Sequence, residues 1–460
     1  MGDKKIKKGG TDFVFVGLAL FAMFFGAGNL IFPPDLGVKA GGMWFVGFLC
    51  FLLADAGLAV LGVIAMAKVD GDINNITGTM GRKAGVLLNT VVILCIGPGV
   101  AIPRTATVSY ELGAAPVFGL GPDGLPLAVY SIVFFLVVLA LTIKPSKVVD
   151  IVGKFLTPFL VVALLVLIVV GFVKPGGDIS TPVAGFEEAS GVVNYGIAQG
   201  YQTMDGMAAL FFGIIIITAV RANGHTEKSD TTREVLKSSV IAGVLLFIVY
   251  GGLAFLGATT GTLWKDGVAA GEVNQAGLVS NIIDHLMGYP GTVILGIAVL
   301  LACLTKAIGL TSSAADYFSS FGKDEAQKEK IYKIVCVLVC VASAFLANLG
   351  LAQILSIAAP ILGLVYPVVV FLMIAALFRK WLRKKMAYML GAIGAFVTSL
   401  LSVLASANGG FFGVEVEAFN FVKSMPLDSY GFNWVLPTVI LMIVGCLLPS
   451  KEIDKLADEQ

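Results

Sequence analysis

The first long apolar segment of the chain is interrupted by the stretch FFGAGNLIFPP, residues 24–34. A helix inside a lipid bilayer must bond its own amides and carbonyls, and glycine and asparagine continue such a helix poorly. The stretch therefore predicts that the helix breaks here and that the freed backbone groups hold a small charged solute at the middle of the membrane. A second interpretation is open at this point, namely a glycine face against which another helix packs closely.

Composition predicts a polytopic membrane protein. The chain has 460 residues, of which 57% are hydrophobic and only 13% charged, and its mean hydropathy is +0.93. A soluble protein carries about twice that charged fraction. Apolar runs of about 20 residues, separated by turns or charges, predict about twelve membrane-spanning helices. The runs lie near residues 13–36, 42–67, 84–112, 126–143, 149–173, 192–220, 236–262, 289–319, 331–348, 353–378, 386–406 and 433–449.

The distribution of lysine and arginine predicts the orientation of these spans. With the N-terminus inside, 25 lysines and arginines fall on the inner side and 4 on the outer side, and Arg104 and Lys306 lie within spans. Because inner loops are richer in positive charge, we expect a membrane protein with cytoplasmic tails at residues 1–12 and 450–460. No basic and aromatic surface is available for nucleic acid, so the lipid bilayer is the expected environment.

A second interrupted segment lies in the sixth predicted span, at residues 196–206, GIAQGYQTMDG. Five spans separate the starts of the two broken helices, and this odd number gives the two halves opposite orientations in the membrane. Paired broken helices in inverted halves indicate the binding site of a secondary transporter. We therefore expect an all-α protein with inverted repeats at 13–173 and 192–378, followed by two further spans at 386–449.

A long outer loop contains an amphipathic stretch. Residues 271–288 place Leu278, Ile282 and Leu286 at helical spacing, with polar residues opposite them. This pattern predicts a surface helix and a candidate lid over a cavity.

The two breaks predict complementary charges. The outer half of the first span begins near Gly28 and Asn29, and the amides at this helix N-terminus suit a carboxylate. The first half of the sixth span is expected to end near Gly200, where its carbonyls suit an ammonium group or a cation. An amino acid zwitterion matches both ends. An apolar wall is expected from Phe24, Phe25 and Leu30.

Adjacent hydroxyls occur deep in the eighth predicted span, at Thr311 and Ser312. Such hydroxyls commonly bond to backbone carbonyls one turn earlier. The alternative is ligation of a small hard cation, which takes hydroxyl and carbonyl oxygens. The carbonyls available for such a site are those of Ile308, Ala22 and Phe25.

Three motifs resemble one family. The stretches GAGNLIFPP at 26–34, TMD at 203–205 and GLT at 309–311 are similar to those of the bacterial branched-chain amino acid:cation symporters, and the resemblance covers nearly the whole chain. It implies membership of the amino acid-polyamine-cation superfamily and the five-plus-five inverted-repeat fold of the leucine transporter. It also implies uptake of leucine, isoleucine and valine with sodium, and no other cofactor.

The breaks and the resemblance together predict the site residues. By the resemblance, amides around Ala27 and Gly28 bind the substrate carboxylate, Asn29 lies at a substrate-side cation position, and the eighth span contributes to a second cation site. The expected substrate-binding residues are Phe25, Gly26, Ala27, Gly28, Asn29, Gln199, Gly200, Tyr201 and Thr203. The expected cation ligands are Ala22, Phe25, Asn29, Asp205, Ile308, Thr311 and Ser312.

Ionisable residues inside spans are functional candidates because their burial in lipid is unfavourable. Asp205 has two open roles, ligation of a cation or hydrogen bonding to the broken backbone. Arg104 also has two, pairing with Asp55 or Glu111 or acting in gating.

Lys306 leaves the coupling ion open. It lies about 140° around the helix from Thr311. It is expected to reach outward, to pair with an acid, or to place a fixed charge near the cation site, and a charged lysine can replace a cation. Proton-coupled and cation-independent transport, including exchange, therefore stay as alternatives, with Asp205, Asp55 or Lys306 as the proton carrier.

Other functional classes find less support. An ion channel requires a repeated filter or a ring of charge lining a pore, and neither pattern is present. The chain also has no HExxH zinc motif, no nucleophile elbow and no ATP-binding loop, so an enzyme or a primary pump is not expected.

Overall fold

The computed structural model describes residues 12–121, 123–144, 151–174, 177–406 and 416–453. Helices dominate these residues, which contain no β-strand beyond one isolated bridge between Lys384 and Glu452. The predicted all-α architecture is therefore confirmed. Most of both predicted cytoplasmic tails lies outside the described residues.

Twenty α-helices follow one another along the described chain. They are α1 Asp12–Phe24, α2 Ala27–Ala40, α3 Trp44–Leu52, α4 Leu58–Lys68, α5 Asn74–Thr77, α6 Arg82–Leu94, α7 Ala101–Ser109, α8 Ala115–Phe118, α9 Leu125–Thr142, α10 Thr157–Val173, α11 Ala189–Gln202, α12 Asp205–Ala222, α13 Lys228–Thr259, α14 Gly261–Ala269, α15 Gln275–Met287, α16 Tyr289–Ser319, α17 Glu325–Leu346, α18 Leu351–Leu377, α19 Lys385–Leu404 and α20 Val435–Leu447.

Nine helical segments in the described part of the chain are long and apolar enough to cross a membrane. One of them, Ala27–Lys68, turns at Gly41, where φ is +50°, and returns as α3 and α4. The shorter apolar helices α1, α10 and α20 add to these segments, and α1 and α2 together form the first membrane pass. The number of passes is then close to the twelve predicted. The boundaries of the two repeats stay a prediction.

The first predicted break is present. Helix α1 ends at Phe24 and α2 begins at Ala27, with Gly26 extended between them at φ −151°. The amide of Gly26 donates to the Asn29 side-chain oxygen at 3.1 Å, so the motif caps the new helix from within. All residues of α2 except Lys39 are buried, which places this broken segment inside the helical bundle.

The second break lies later than expected. Helix α11 runs through Gly200 to Gln202, and the chain breaks at Met204, which is left-handed with φ +67°. Gly200 instead permits close packing, because a methyl group there would lie 2.7 Å from the Ala54 Cβ atom. The helix thus ends two residues after Gly200, within the predicted interrupted segment 196–206, and close helix packing explains that glycine.

The amphipathic stretch forms helix α15, which buries Leu278 and Ile282 as predicted. Its first residue, Gln275, donates to Asp35 Oδ2 on α2 at 3.3 Å. Lys39 Nζ also donates to that oxygen at 3.1 Å, and the Tyr195 hydroxyl of α11 bonds to it. Asp35 thus joins α15 to α2 and α11. These contacts lie at the ends of the two broken segments that face the predicted outer side.

Candidate functional site

Lys306 projects from α16 into the space between the two breaks, and its side chain is 2% exposed. Its Nζ atom lies 2.6 Å from Asp205 Oδ1, 3.0 Å from the Phe24 carbonyl, 3.0 Å from Asn29 Oδ1 and 3.3 Å from the Thr203 carbonyl. We call these four oxygens the Lys306 cage. Among the roles open from sequence, the structure shows pairing with an acid, and the burial excludes an outward-reaching lysine.

The cage lies where two helices end. Phe24 is the last residue of α1, and Thr203 follows the last residue of α11. Carbonyls at a helix C-terminus lack partners within the helix and carry partial negative charge, so a cation is stabilised beside them. The sequence predicted that carbonyls freed by the breaks suit a cation. In the structure, two such carbonyls contact the ammonium group of Lys306.

Asn29 connects four helical segments around the cage. Its Nδ2 atom lies 3.0 Å from Asp55 Oδ2, 2.8 Å from Asp205 Oδ2 and 2.5 Å from the Tyr250 hydroxyl. The Thr203 hydroxyl donates to the other Asp55 oxygen at 2.7 Å. Buried carboxylates need such donors, because water cannot reach them. Asp205 therefore accepts from Lys306 and from Asn29, and its two oxygens bridge their side chains.

Arg104 is fully buried on α7, at 1% exposure. Its Nη1 atom donates to the Gln202 carbonyl at 2.8 Å, at the end of α11. Within the described chain no ion pair joins it to Asp55 or Glu111, so that predicted pairing is wrong. The guanidinium instead lies close to the first break, because a methyl group on Gly28 would be 3.1 Å from Nη2.

Unused hydrogen-bonding groups remain near the breaks. The Arg104 Nε atom is buried and has no hydrogen-bond partner in the described structure. The buried Oε1 atoms of Gln199 and Gln202 also have none. A buried guanidinium beside a helix N-terminus attracts an anion, and free amide oxygens accept hydrogen bonds from an ammonium group. In the described structure, Arg104 therefore has an unused donor, and Gln199 and Gln202 have unused acceptors.

The hydroxyls of α16 divide between two surroundings. Thr305 Oγ1 donates to the Ala22 carbonyl of α1 at 3.0 Å, and Ser312 Oγ bonds to the Tyr332 hydroxyl at 3.0 Å. Thr311 Oγ1 and Ser313 Oγ are buried without a hydrogen bond among the described residues. Neither Thr311 nor Ser312 bonds back to its own helix, but the cation site assigned to them with Ile308 stays a prediction.

Sequence reasoning missed Thr305, although it directly precedes Lys306. The face of α16 that carries both residues points to α1, because a methyl group on Gly309, one turn later, would lie 3.2 Å from Met23 Cε. The glycine was a usable signal for this face. Tyr250 offered none, since an aromatic residue in an apolar span resembles any packing residue.

The aromatic candidates pack around the breaks. Phe25 is fully buried, and its ring lies 6.1 Å from that of Tyr250. Tyr201 stacks on Tyr366 with ring centroids 4.2 Å apart, and the Tyr366 hydroxyl accepts from the Gly206 amide at 3.1 Å. These rings cover the broken segments with apolar surface, as expected for a site that binds an apolar side chain.

Solved structures share this architecture. A Na+-coupled sialic acid symporter in a substrate-bound outward-open state aligns with a TM-score of 0.63 at 14% identity, covering 97% of this chain and 94% of the symporter. Mhp1, a nucleobase-cation-symport-1 family transporter, aligns with a TM-score of 0.53 at 12% identity, covering 97% and 95%. These alignments support the predicted fold, which is of the leucine-transporter type.

Sequence relatives carry transport names. The branched-chain amino acid permease BrnQ of Escherichia coli (strain K12) is 34% identical, with 95% of each chain covered. The permease BraB of Bacillus subtilis (strain 168) is 35% identical, covering 97% of this chain and 98% of BraB. A branched-chain amino acid transport system 2 carrier protein of Pseudomonas aeruginosa is 37% identical, with 95% of each chain covered.

These relatives are permeases and carriers rather than enzymes, in agreement with the multi-pass helical structure. The sequence profile of the branched-chain amino acid transport protein family matches residues 10–452. The chain therefore belongs to the branched-chain amino acid transport protein family.

Proposed function

We propose that this chain takes up leucine, isoleucine and valine by sodium symport and alternating access. Its place is the bacterial cytoplasmic membrane, with both termini inside, and the asymmetry of 25 inner against 4 outer lysines and arginines supports that orientation. The substrate class follows the names of the relatives.

The observation that carries the proposal is the matched set of unused polar atoms at the two breaks. The carboxylate of the substrate lies against the Arg104 guanidinium and the α2 amides near Gly28. The ammonium group of the substrate lies against Gln199 and Gln202. The support is chemical, because an arginine binds a carboxylate through parallel hydrogen bonds. The buried rings around Phe25 then receive the branched apolar side chain.

Buried hydroxyls on α16 support sodium as the coupling ion. Thr311 Oγ1 and Ser313 Oγ have no hydrogen-bond partner in the described chain, and hydroxyl oxygens are ligands for hard cations. A second candidate function is proton-coupled or cation-independent transport. It is favoured by the Lys306 ammonium, which itself contacts the oxygens of the cage beside Asn29.

Uptake by reconstituted protein tests the proposal. Proteoliposomes without internal sodium are supplied with labelled leucine in sodium or in N-methylglucamine buffer, with and without a proton gradient. We expect accumulation with an inward sodium gradient and competition by isoleucine and valine. Equal uptake in both buffers contradicts sodium coupling, and no branched-chain amino acid uptake under any gradient contradicts the substrate class.

The α16 hydroxyls give a prediction for the cation. Changing both Thr311 and Ser312 to alanine is expected to raise the sodium concentration for half-maximal uptake about tenfold or more, since each lost charge-assisted contact costs ~1.5 kcal/mol. Ser343→Ala is the matched control, because this serine is also buried and its hydroxyl, like that of Thr311, has no partner among the described residues. A sodium curve that stays unchanged in the double variant removes these hydroxyls from the cation site.

Arg104 gives a prediction for the carboxylate. Arg104→Gln is expected to weaken leucine binding on the order of 100-fold, since a charged hydrogen bond contributes roughly 1.5–3 kcal/mol. Binding of leucinol, which has no carboxylate, is expected to change little. Arg221→Gln serves as control at a half-exposed arginine paired with Asp70. Equal losses for leucine and leucinol would assign Arg104 a purely structural role.

A further inference from the structure

We infer that Lys306 is a tethered cation, which occupies permanently a position that would otherwise bind an inorganic monovalent cation beside the substrate. The inference deepens the proposed function, on which its transport readout rests. It predicts that substrate binding by the wild-type protein involves one inorganic ion fewer than binding by a variant without the Lys306 ammonium group.

The first argument is the chemistry of the Lys306 cage. Its members are two backbone carbonyls, one amide oxygen and one carboxylate oxygen, at 2.6–3.3 Å from Nζ. Hard cations take oxygen ligands of these kinds. An ammonium group has three N–H donors, fewer than the four oxygens around it. The oxygens thus surround a point charge, as ligands surround an ion.

The second argument is the way in which the backbone makes room for the lysine. Gly26 lies in the gap between α1 and α2, and a methyl group there would lie 2.2 Å from Lys306 Cδ and 3.2 Å from its Cβ and Cγ. The aliphatic stem of Lys306 therefore crosses the first break directly over the glycine. The broken segment provides both the path for the stem and the oxygens for its charged end.

The third argument is electrostatic. The cage combines the Asp205 carboxylate with the C-terminal ends of α1 and α11, and all of these favour a positive charge. Removal of the lysine charge leaves a buried carboxylate without its ion pair. A shorter polar residue at position 306 would open space in which a sodium ion restores that charge.

The test compares wild-type protein with Lys306→Thr, both purified as the full chain. Leucine binding and thermal unfolding are measured while sodium replaces N-methylglucamine at constant ionic strength. In Lys306→Thr we expect the Hill coefficient of sodium-dependent leucine binding to rise, by at most one, because one more ion binds. We also expect sodium to raise the unfolding temperature of the variant more than that of wild type, since an ion that binds only the folded state stabilises it.

A second variant covers the case in which Lys306→Thr does not fold. Asp205→Asn combined with Lys306→Thr removes both charges and keeps oxygen ligands, so it is expected to fold and to gain a weaker response to sodium. Lys39→Thr is the matched control, because Lys39 also pairs with an aspartate, Asp35, but outside the cage. It is expected to keep the wild-type sodium curve.

The outcomes separate the two proposals. Folded Lys306 variants that keep the wild-type sodium curves in both assays overturn the tethered-cation inference. Wild-type protein that binds no branched-chain amino acid overturns the proposed function instead, and the sodium dependence of unfolding still tests Lys306.

Discussion

Replacing Asn29 by alanine is expected to lower leucine uptake at least ~100-fold and to destabilise the fold by about 3–5 kcal/mol, because it removes hydrogen bonds to two buried carboxylates, each worth roughly 1.5–3 kcal/mol. The amide nitrogen of Asn29 contacts Asp55, Asp205 and Tyr250, and its oxygen accepts from Lys306. Alanine would leave two buried carboxylates short of a donor and remove one oxygen from the Lys306 cage.

Asn89→Ala is the matched control for this change. Asn89 is also a buried asparagine, at 1% exposure, but its Nδ2 atom has no hydrogen-bond partner in the described structure. Its replacement is expected to leave uptake near the wild-type level and to alter stability little. Both variants are compared by uptake per reconstituted molecule and by thermal unfolding in detergent. Similar losses for the two would mean that the contacts of Asn29 carry no special role.

Gly26→Ala is expected to reduce leucine uptake by at least tenfold, because overpacking of this size costs about 1–3 kcal/mol. The added methyl group would meet the Lys306 stem at 2.2 Å, and the ends of that stem are fixed by α16 and by the cage. The lysine must therefore leave the cage or the first break must widen. Either change removes contacts between the ammonium group and oxygens of the Lys306 cage.

Gly42→Ala provides the control, since no described residue lies within 4 Å of a methyl group at that position. A second comparison tests the cause. In protein that already carries Lys306→Thr, the clash is removed, so Gly26→Ala is expected to cost much less there than in wild type. Equal costs in both backgrounds would show that the glycine serves the backbone alone and that Lys306 is not involved.

Sequence alone predicted the features that depend on local chemistry. The break at Gly26 followed from glycines and an asparagine in an apolar helix, and the surface helix followed from the spacing of Leu278 and Ile282. The second break lies inside the predicted segment 196–206, but its exact position could not be predicted, because Gly200 serves the close approach of Ala54 from another helix. The actual break depends on Met204, an unusual residue for a left-handed conformation.

The tertiary partners of the ionisable residues were less accessible to prediction. One of the two roles left open for Arg104 was pairing with an acid, because a buried charge needs a partner, but Arg104 donates to the carbonyl of Gln202 instead. A helix end supplies partial charge without any charged side chain, and where it ends depends on the fold. Thr305 could not be predicted for the same reason, because its hydrogen bond to the Ala22 carbonyl depends on how α16 packs on α1.

The covalent attachment of the Lys306 ammonium also has a thermodynamic consequence. An ion that enters with the substrate and leaves on the other side contributes its concentration ratio to accumulation, about 1.4 kcal/mol for each tenfold gradient. It also contributes its charge moving through the membrane potential, about 2.3 kcal/mol per 100 mV. A lysine ends every cycle where it began, so neither contribution is available from it. Its positive charge organises the site, while the work of concentrating substrate falls to whatever is released.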